Sequence, residues 1–218
     1  MRILGIDPSL SSTAVCAMSD DAAEFYCFTK GKSTKWTKAA EPFARMVLVD
    51  YDGHGQYSDS EVQKLVDYQR NANQIVDTLG LGSGDQVLIE GYAFRAPGNI
   101  VDLVMFGTFL RKRILDAGAQ LTIVAPMSLK YELAKLAYGV DKKGVPRNPA
   151  GLAGGKFTKH EMLEALFALD LPYVKDSGFR SAMSVYYDDM MKMASIPSPI
   201  NDCVDAKSLC VLRREGKL

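Results

Sequence analysis

The chain has 218 residues and carries 26 Lys and Arg against 26 Asp and Glu, so its formal net charge is zero with both histidines neutral. Its composition, 47% hydrophobic and 24% charged, is that of an ordinary globular protein and excludes disordered, fibrous and polycationic classes. The four cysteines form no CxxC pair, and no window approaches the roughly 18 apolar residues of a membrane span, so we expect a cytoplasmic protein with neither a zinc ribbon nor a membrane contact.

The first half of the chain switches between strand and helix periodicity. Short apolar runs, separated by the turn-forming stretches PSLSS and SDDA, predict strands at residues 2–6, 13–18 and 24–28. Apolar residues that recur every three or four positions predict a helix over residues 60–79, which the glycine-rich GLGSGD ends. The run QVLIE at 86–90 then predicts a central buried strand.

The second half of the chain is mainly helical. We predict a helix at residues 99–117, a strand at 121–124, and helices at 127–138, at 158–169 and from near Asn201 onward. This order of elements predicts an α/β fold with a mixed five-stranded sheet flanked by helices. Three antiparallel strands come first, and parallel strands joined by right-handed crossovers follow.

Three segments lie between these elements. Residues 30–57 and 170–199 fit the order poorly, and we interpret them as insertions into one domain that spans the chain. The glycine-rich GVDKKGVPRNPAGLAGGK predicts a loop. Its GLAGGKF is not a phosphate-binding P-loop, because Ala150 and Phe157 replace the required glycine and hydroxyl residue, so we expect no nucleotide cofactor.

Two acidic residues end strands that are otherwise apolar. Asp7 follows ILGI, and Glu90 ends QVLIE. A buried strand has little reason to end in an acid unless that acid faces a functional edge. If the two strands are neighbours, both carboxylates project from the same edge and can share a divalent cation. The alternative is that each acid is an ordinary solvated residue at a strand end.

A second acidic pair lies near the start of the last predicted helix. Asp202 and Asp205 are three positions apart, so they share one helix face. Acids in a first helical turn also complement the helix dipole without any catalytic role. The combination of this pair with Asp7 and Glu90, in chain order, favours a single shared site.

Such a group of carboxylates predicts a metal site. Neighbouring carboxylates raise one another's pKa values unless a cation neutralises them. Oxygen ligands without histidine or cysteine favour Mg²⁺ or Mn²⁺ over zinc. Two ions roughly 4 Å apart, on either side of Asp7, suit the in-line attack of water on a phosphodiester. The sequence therefore predicts metal-dependent hydrolysis of nucleic acid.

The segments that carry these acids resemble a known family. ILGIDPSLSSTAVCAM, VLIEGYAFRAPGN and NDCVDAKSL are similar, in this order, to the RuvC-like Holliday-junction resolvases of the ribonuclease H-like superfamily. The family carries an Asp in the first strand, a Glu ending the fourth and a DxxD pair on the last helix. The resemblance implies that Asp7, Glu90, Asp202 and Asp205 are its metal-binding catalytic residues.

The resemblance also implies lysines near the scissile phosphate. The segments SLKYELAKLAYG and GGKFTKHEMLEAL look like the corresponding helices of the family, which suggests Lys130 and either Lys156 or Lys159. We assign Lys130 and Lys159 to catalysis and Lys156 to DNA binding. The activity implied is that of a crossover junction endodeoxyribonuclease in DNA recombination and repair. It would be a homodimer that holds a four-way junction and nicks two symmetric strands, with two Mg²⁺ ions per active site, leaving 5′-phosphate and 3′-hydroxyl ends.

The loop after Glu90 departs from the family. Resolvases of this type carry an aromatic residue there that is proposed to stack on or wedge into the junction. Its usual offset is occupied here by Ala93, so we assign this role to Phe94, with Tyr92 and Arg95 as further DNA contacts.

Basic residues are concentrated in two stretches despite the neutral total. Residues 30–45 and 140–160 each hold five basic residues against one acidic residue. Since phosphate contacts provide most nucleic-acid affinity, we assign Lys142, Lys143 and Arg147 to DNA binding. The alternative is a solvated loop.

Three other functions remain open at this point. One is a different ribonuclease H-like nuclease, acting on flap or other branched DNA or on RNA–DNA hybrids. Another is an actin-like sugar kinase or ATPase. Two observations count against it: Ser9 occupies a position where such enzymes carry glycine, and the sequence lacks a second glycine-rich phosphate motif. The third is a nuclease-inactive DNA-binding relative, which the retention of all four acids disfavours.

Overall fold

The computed structural model of the protein describes residues 1–20, 22–31, 34–49, 57–92, 100–154, 157–175 and 178–218. The strands are β1 (Ile3–Asp7), β2 (Ser12–Met18), β3 (Ala23–Thr29), β4 (Ala44–Leu48), β5 (Gln86–Glu90) and β6 (Gln120–Val124). The helices are α1 (Lys35–Ala40), α2 (Tyr57–Leu79), α3 (Ile100–Asp116), α4 (Pro126–Tyr138), α5 (Lys159–Ala168), α6 (Pro172–Lys175), α7 (Gly178–Met191) and α8 (Ile200–Arg214). Every helix and strand predicted from the sequence is present.

The strand order of the sheet is β4-β3-β2-β1-β5-β6. β1, β2 and β3 form an antiparallel meander, β5 pairs parallel with β1, and β6 pairs parallel with β5. The predicted mixed sheet, in which an antiparallel meander is followed by parallel strands, is therefore confirmed. The predicted strand number is too low by one within the described residues, because β4 adds a strand parallel to β3 at the sheet edge. Its five residues lie in a segment that we interpreted as an insertion, and so short an apolar run does not distinguish strand from helix.

Side chains alternate between two buried faces of the sheet. Leu4, Ile6 and Ile89 point to one face, where they pack with apolar residues of α2 and α3. The other face of β1, β2 and β5 lies against α8, and α4 and α5 pack on α8 in turn. Every residue of α8 from position 202 to position 212 is buried, so this helix is central to the structure.

The two segments interpreted as insertions both contribute to the core. The first contains α1 and β4, and the second contains α6 and α7. Met183 and Met190 of α7 are fully buried in the apolar cluster that surrounds α8. The glycine-rich loop is also ordered by antiparallel bridges, which join Val140 to Pro146 and Arg147 to Ala153. None of the described helices is both long and apolar enough to cross a membrane.

Candidate metal centre

Asp7 and Glu90 lie side by side at one edge of the sheet. The parallel strands β1 and β5 pair Ile6 with Ile89, so the next residue of each strand is one of the two acids. Ile6 and Ile89 face α2 and α3, and the alternation of strand side chains turns the acids toward α8. The two carboxyl groups are close enough for the charge of Glu90 to raise the pKa of Asp7. The shared edge that a common site requires is therefore present.

Asp205 of α8 completes a group of three carboxylates. One oxygen from each of Asp7, Glu90 and Asp205 lies within 4.8 Å of the other two. Asp7 is 9% exposed and Asp205 is 0% exposed, so two of the three acids are almost wholly removed from bulk water. The structure thus brings three of the four predicted acids into one group, which we call the carboxylate cluster.

Asp202 lies beside the carboxylate cluster. It is buried, and its charge raises the pKa of Asp7. Its Oδ2 accepts a hydrogen bond of 2.6 Å from the Oγ of Ser198, in the turn before α8. Our sequence analysis missed Ser198, whose only signal is a hydroxyl residue four positions before the acid.

Burial and mutual repulsion oppose ionisation of these acids. Burial raises the pKa of Asp7 well above its usual value, and the charges of Glu90 and Asp202 raise it further, whereas Lys159 lowers it. Burial also raises the pKa of Asp202 from 3.8 to about 7, although the hydrogen bond from Ser198 and the charge of Lys159 act in the opposite direction. A bound cation would reduce this cost, because it favours the ionised form of every carboxylate around it.

Two lysines bring positive charge to the carboxylate cluster. The ammonium group of Lys159, in the first turn of α5, forms an ion pair with Oδ2 of Asp205. Lys130 of α4 is half-buried, and burial lowers the pKa of its ammonium group. The charge of Lys159 lowers this pKa further, whereas the charge of Glu90 raises it. Both lysines assigned to catalysis are therefore next to the carboxylate cluster, and Lys156 lies outside the described residues.

The donor set fits a divalent cation that prefers oxygen ligands. Oδ1 of Asp205 is buried and accepts no hydrogen bond from any described residue. Buried carboxylate oxygens normally have such a partner, so this oxygen is available to coordinate a cation. Asp7, Glu90 and Asp205 offer only carboxylate oxygens, as Mg²⁺ and Mn²⁺ require.

A cavity adjoins Asp202 on the side of β2 and β3. It has a volume of 350 Å³ and is lined largely by hydroxyl side chains together with Lys30. These hydroxyl residues are Ser11, Ser12, Thr29, Thr34, Thr37 and Ser198. Hydroxyl groups and a lysine are suited to contact phosphate oxygens. The sequence offers no spaced motif for this cavity, because its residues come from four separate segments.

The residues assigned to DNA binding have different surroundings. Lys142, Lys143 and Arg147 are exposed on the loop of residues 140–154. This loop is attached to α4 by a hydrogen bond of 3.1 Å, which the hydroxyl of Tyr131 donates to the carbonyl oxygen of Gly144. All three basic side chains are therefore available to a ligand.

Tyr92 packs against α3. Its hydroxyl donates a hydrogen bond of 3.2 Å to the carbonyl oxygen of Val104, and the guanidinium of Arg111 lies 4.1 Å from its ring centroid. These contacts hold the side chain against α3. DNA binding by Tyr92 stays a prediction. Phe94 and Arg95 lie outside the described residues.

The fold is similar to solved structures of two other proteins. A Thermus thermophilus RuvC structure has 13% sequence identity and a TM-score of 0.46, over 100% of this chain and 98% of the other. T. thermophilus RuvC in complex with Holliday junction substrate has the same identity and TM-score, over 100% and 97% of the two chains. The yeast mitochondrial Holliday junction resolvase Ydc2 has 12% identity and a TM-score of 0.45, over 96% and 75%. No family model and no curated protein matches the sequence.

Proposed function

We propose that the protein is a Mg²⁺-dependent, structure-selective DNA endonuclease that resolves four-way junctions by paired symmetric nicking. The observation that carries this proposal is the convergence of Asp7, Glu90 and Asp205 on one buried edge of the sheet, with Lys159 in contact. A group of carboxylates that is costly to ionise suits a site whose charge is balanced by metal ions.

Each residue of the site has a distinct part in this proposal. Asp7, Glu90 and Asp205 would hold the metal, with Asp202 as a further ligand that Ser198 orients. We expect two ions per site, with Mn²⁺ able to replace Mg²⁺. Bound metal supplies activation of a water molecule and charge compensation at the phosphate, so that hydrolysis leaves a 5′-phosphate and a 3′-hydroxyl.

The surface on both sides of the carboxylate cluster suits a nucleic-acid strand. The hydroxyl-lined cavity with Lys30 lies beside Asp202. Lys130 is half-buried within range of the charge of Glu90, where its ammonium group can contact a phosphate oxygen of the strand. Phosphate contacts on either side of the cut would hold the strand in register.

We propose a four-way junction as the substrate and a homodimer as the assembly because the sequence motifs resemble those of RuvC-like Holliday-junction resolvases. Two symmetric nicks in one junction need two active sites, which two copies of this chain would supply. Exposed Lys142, Lys143 and Arg147 provide a basic surface for the arms of the junction.

The proposal is tested by incubating the purified chain with a synthetic four-way junction in Mg²⁺. Linear duplex, a flap and an RNA–DNA hybrid serve as alternative substrates, and EDTA serves as the metal-free control. We expect paired symmetric nicks that are confined to the junction. Equal cutting of the flap or the hybrid would assign the protein to another class of ribonuclease H-like nuclease. Thermal stabilisation by ATP, without cutting of any substrate, would instead indicate an actin-like kinase or ATPase.

A further inference from the structure

A cavity of 530 Å³ lies between α4 and the loop of residues 140–154. Met127 and Tyr131 of α4 form one wall, and Arg147 and Asn148 of the loop form the opposite wall. Phe157, just before α5, contributes a second aromatic ring. The volume is in the range of sites that bind small organic groups.

This cavity is next to the carboxylate cluster. Lys130 lines it, and the charge of this lysine interacts with those of Glu90 and Lys159. Thr158 also lines it and directly precedes Lys159, whose ammonium group contacts Asp205. A group bound in the cavity would therefore be close to the lysines that we place beside the cut phosphodiester.

The walls of the cavity combine apolar surface with polar edges. Tyr131 is 45% exposed and Met127 is 75% exposed, so an aromatic ring and a thioether are accessible to a ligand. Asn148 supplies an amide and Arg147 a positive charge, and none of the described residues that line the cavity is acidic. Aromatic surface with polar groups at its edge is the chemistry that binds a nucleobase, and a cation beside it suits the attached phosphate.

Hydrogen bonds hold the loop wall in place. Oδ1 of Asp141 accepts hydrogen bonds of 2.8 Å from two backbone N–H groups of the loop. Oδ1 of Asn148 accepts one of 3.0 Å from the N–H of Leu152. The Tyr131 hydroxyl ties the loop to α4 through Gly144. A cavity that is formed before the ligand arrives spares much of the entropy that ordering a loop would cost.

We propose that this cavity holds an unpaired nucleobase of the DNA strand that is cut, close to the cleaved bond. The inference rests on the proposed function, because the base reaches the cavity only if its strand crosses the carboxylate cluster. Bases within a duplex are paired and stacked, whereas those at a branch point are more easily extruded. Occupation of the cavity would favour branched over linear DNA and would create a base preference at one position.

The test measures the affinity of junctions that each lack a single base, at successive positions along each strand around the branch point. The Asp7→Asn chain in Mg²⁺ is used, so that cutting does not interfere with binding. At one position, removal of the base should weaken binding roughly 5- to 100-fold, the range expected for stacking one base on an aromatic side chain.

Substitutions of Tyr131 connect that position to the cavity. Tyr131→Leu, added to Asp7→Asn, should weaken binding of the intact junction by a similar factor and remove the response to the missing base. Tyr131→Phe is the matched control, because it also loses the hydrogen bond to Gly144 but keeps the ring, and it should retain the response. Met127→Ala, at a highly exposed position, should reduce the response without affecting folding.

Several outcomes would overturn this inference and are distinct from failure of the proposed function. A uniform effect of base removal at all positions, or an unchanged response in Tyr131→Leu and Met127→Ala, would show that no base occupies the cavity. Absence of junction cutting by the wild-type chain, with the single-position response intact, would refute the nuclease function and leave the base site standing. A chain that binds no junction would overturn both.

Discussion

The backbone of Ala206 in α8 occupies the space into which a side chain on Gly5 of β1 would project. A Cβ at Gly5 would overlap the carbonyl oxygen of Ala206, which is backbone and cannot rotate away. The absence of a side chain therefore lets α8 lie directly on β1. Asp205 immediately precedes Ala206, so this contact sets the separation between Asp205 on the helix and Asp7 on the strand.

Gly5→Ala should damage both stability and activity. The new methyl group forces α8 away from β1, and we expect a loss of about 1 to 3 kcal/mol in unfolding free energy, typical of an overpacked core. Junction cutting should fall even where the protein remains folded. Urea unfolding measures the change in stability, and the rate of junction cleavage measures the change in activity. Gly82→Ala, where an added Cβ meets no atom within 4 Å, is the control, and equal behaviour of the two variants would contradict this account.

Asp7→Asn should separate stability from activity. The amide keeps the shape of the side chain but does not ionise, so it avoids the cost that burial and the charges of Glu90 and Asp202 impose on Asp7. We expect the metal-free variant to be more stable than wild type near neutral pH, to gain less stability from Mg²⁺ and to bind junctions without cutting them. Thermal unfolding with and without Mg²⁺ measures this, with Asp20→Asn at an exposed position as the control. Cutting at the wild-type rate would remove Asp7 from the active site.

The stability of the metal-free protein should fall as the pH rises. The pKa of Asp202 is about 7 in the folded chain against 3.8 for an ordinary Asp. Between these values the folded chain binds a proton that the unfolded chain has released, so the unfolding free energy decreases with pH. The raised pKa of Asp7 acts in the same direction. Mg²⁺ should restore stability above about pH 7 and have little effect near pH 5.

Urea unfolding in EDTA and in Mg²⁺, at about pH 5 and about pH 8, tests this dependence. Asp202→Asn should reduce the slope, because the amide does not titrate. Ser198→Ala should steepen it, since the hydrogen bond that lowers the pKa of Asp202 is lost. A metal-free protein whose stability increases over this pH interval would contradict the prediction.

Lys159→Met should make folding dependent on metal. The substitution leaves the buried carboxylate of Asp205 without its ion-pair partner. Breaking such a pair costs about 3 kcal/mol, and Mg²⁺ should recover most of this loss by taking over the compensation of charge. Calorimetry in EDTA measures the loss of stability, and calorimetry in Mg²⁺ measures how much of it is recovered. Lys135→Met, which breaks a more exposed pair with Glu132, should cost less than about 1 kcal/mol and show no metal effect.

Binding of junctions should weaken steeply with salt although the chain has no net charge. Lys142 and Lys143 are exposed, and each phosphate contact contributes about 0.9 to the slope of log affinity against log salt concentration. The double substitution Lys142→Gln and Lys143→Gln should lower the magnitude of this slope by about 2. Lys217→Gln, at an exposed position after the end of α8, should leave the slope unchanged. An unaltered slope in the double variant would show that the loop makes no phosphate contact.

Most helices and strands, and the residue types of the candidate site, were predictable from local sequence patterns. Period-two and helical patterns are local, and they were sufficient for every predicted strand and helix. The acids at the ends of β1 and β5 and near the start of α8 stood out because carboxylates are costly next to apolar runs. Local patterns did not identify β4 or α1, which lie in a segment that we interpreted as an insertion, although β4 pairs with β3 at the sheet edge.

Which of these groups come into contact depends on the folding of segments that are distant in the chain. The pairing of Ile6 with Ile89 places Asp7 next to Glu90, and the contact of Gly5 with Ala206 brings in Asp205. The contact of Lys159 with Asp205, the hydrogen bond from Ser198 and the cavity beside α4 join segments that are separate in the chain. No local period encodes such distances, because they depend on strand register and on how closely a helix packs on a sheet.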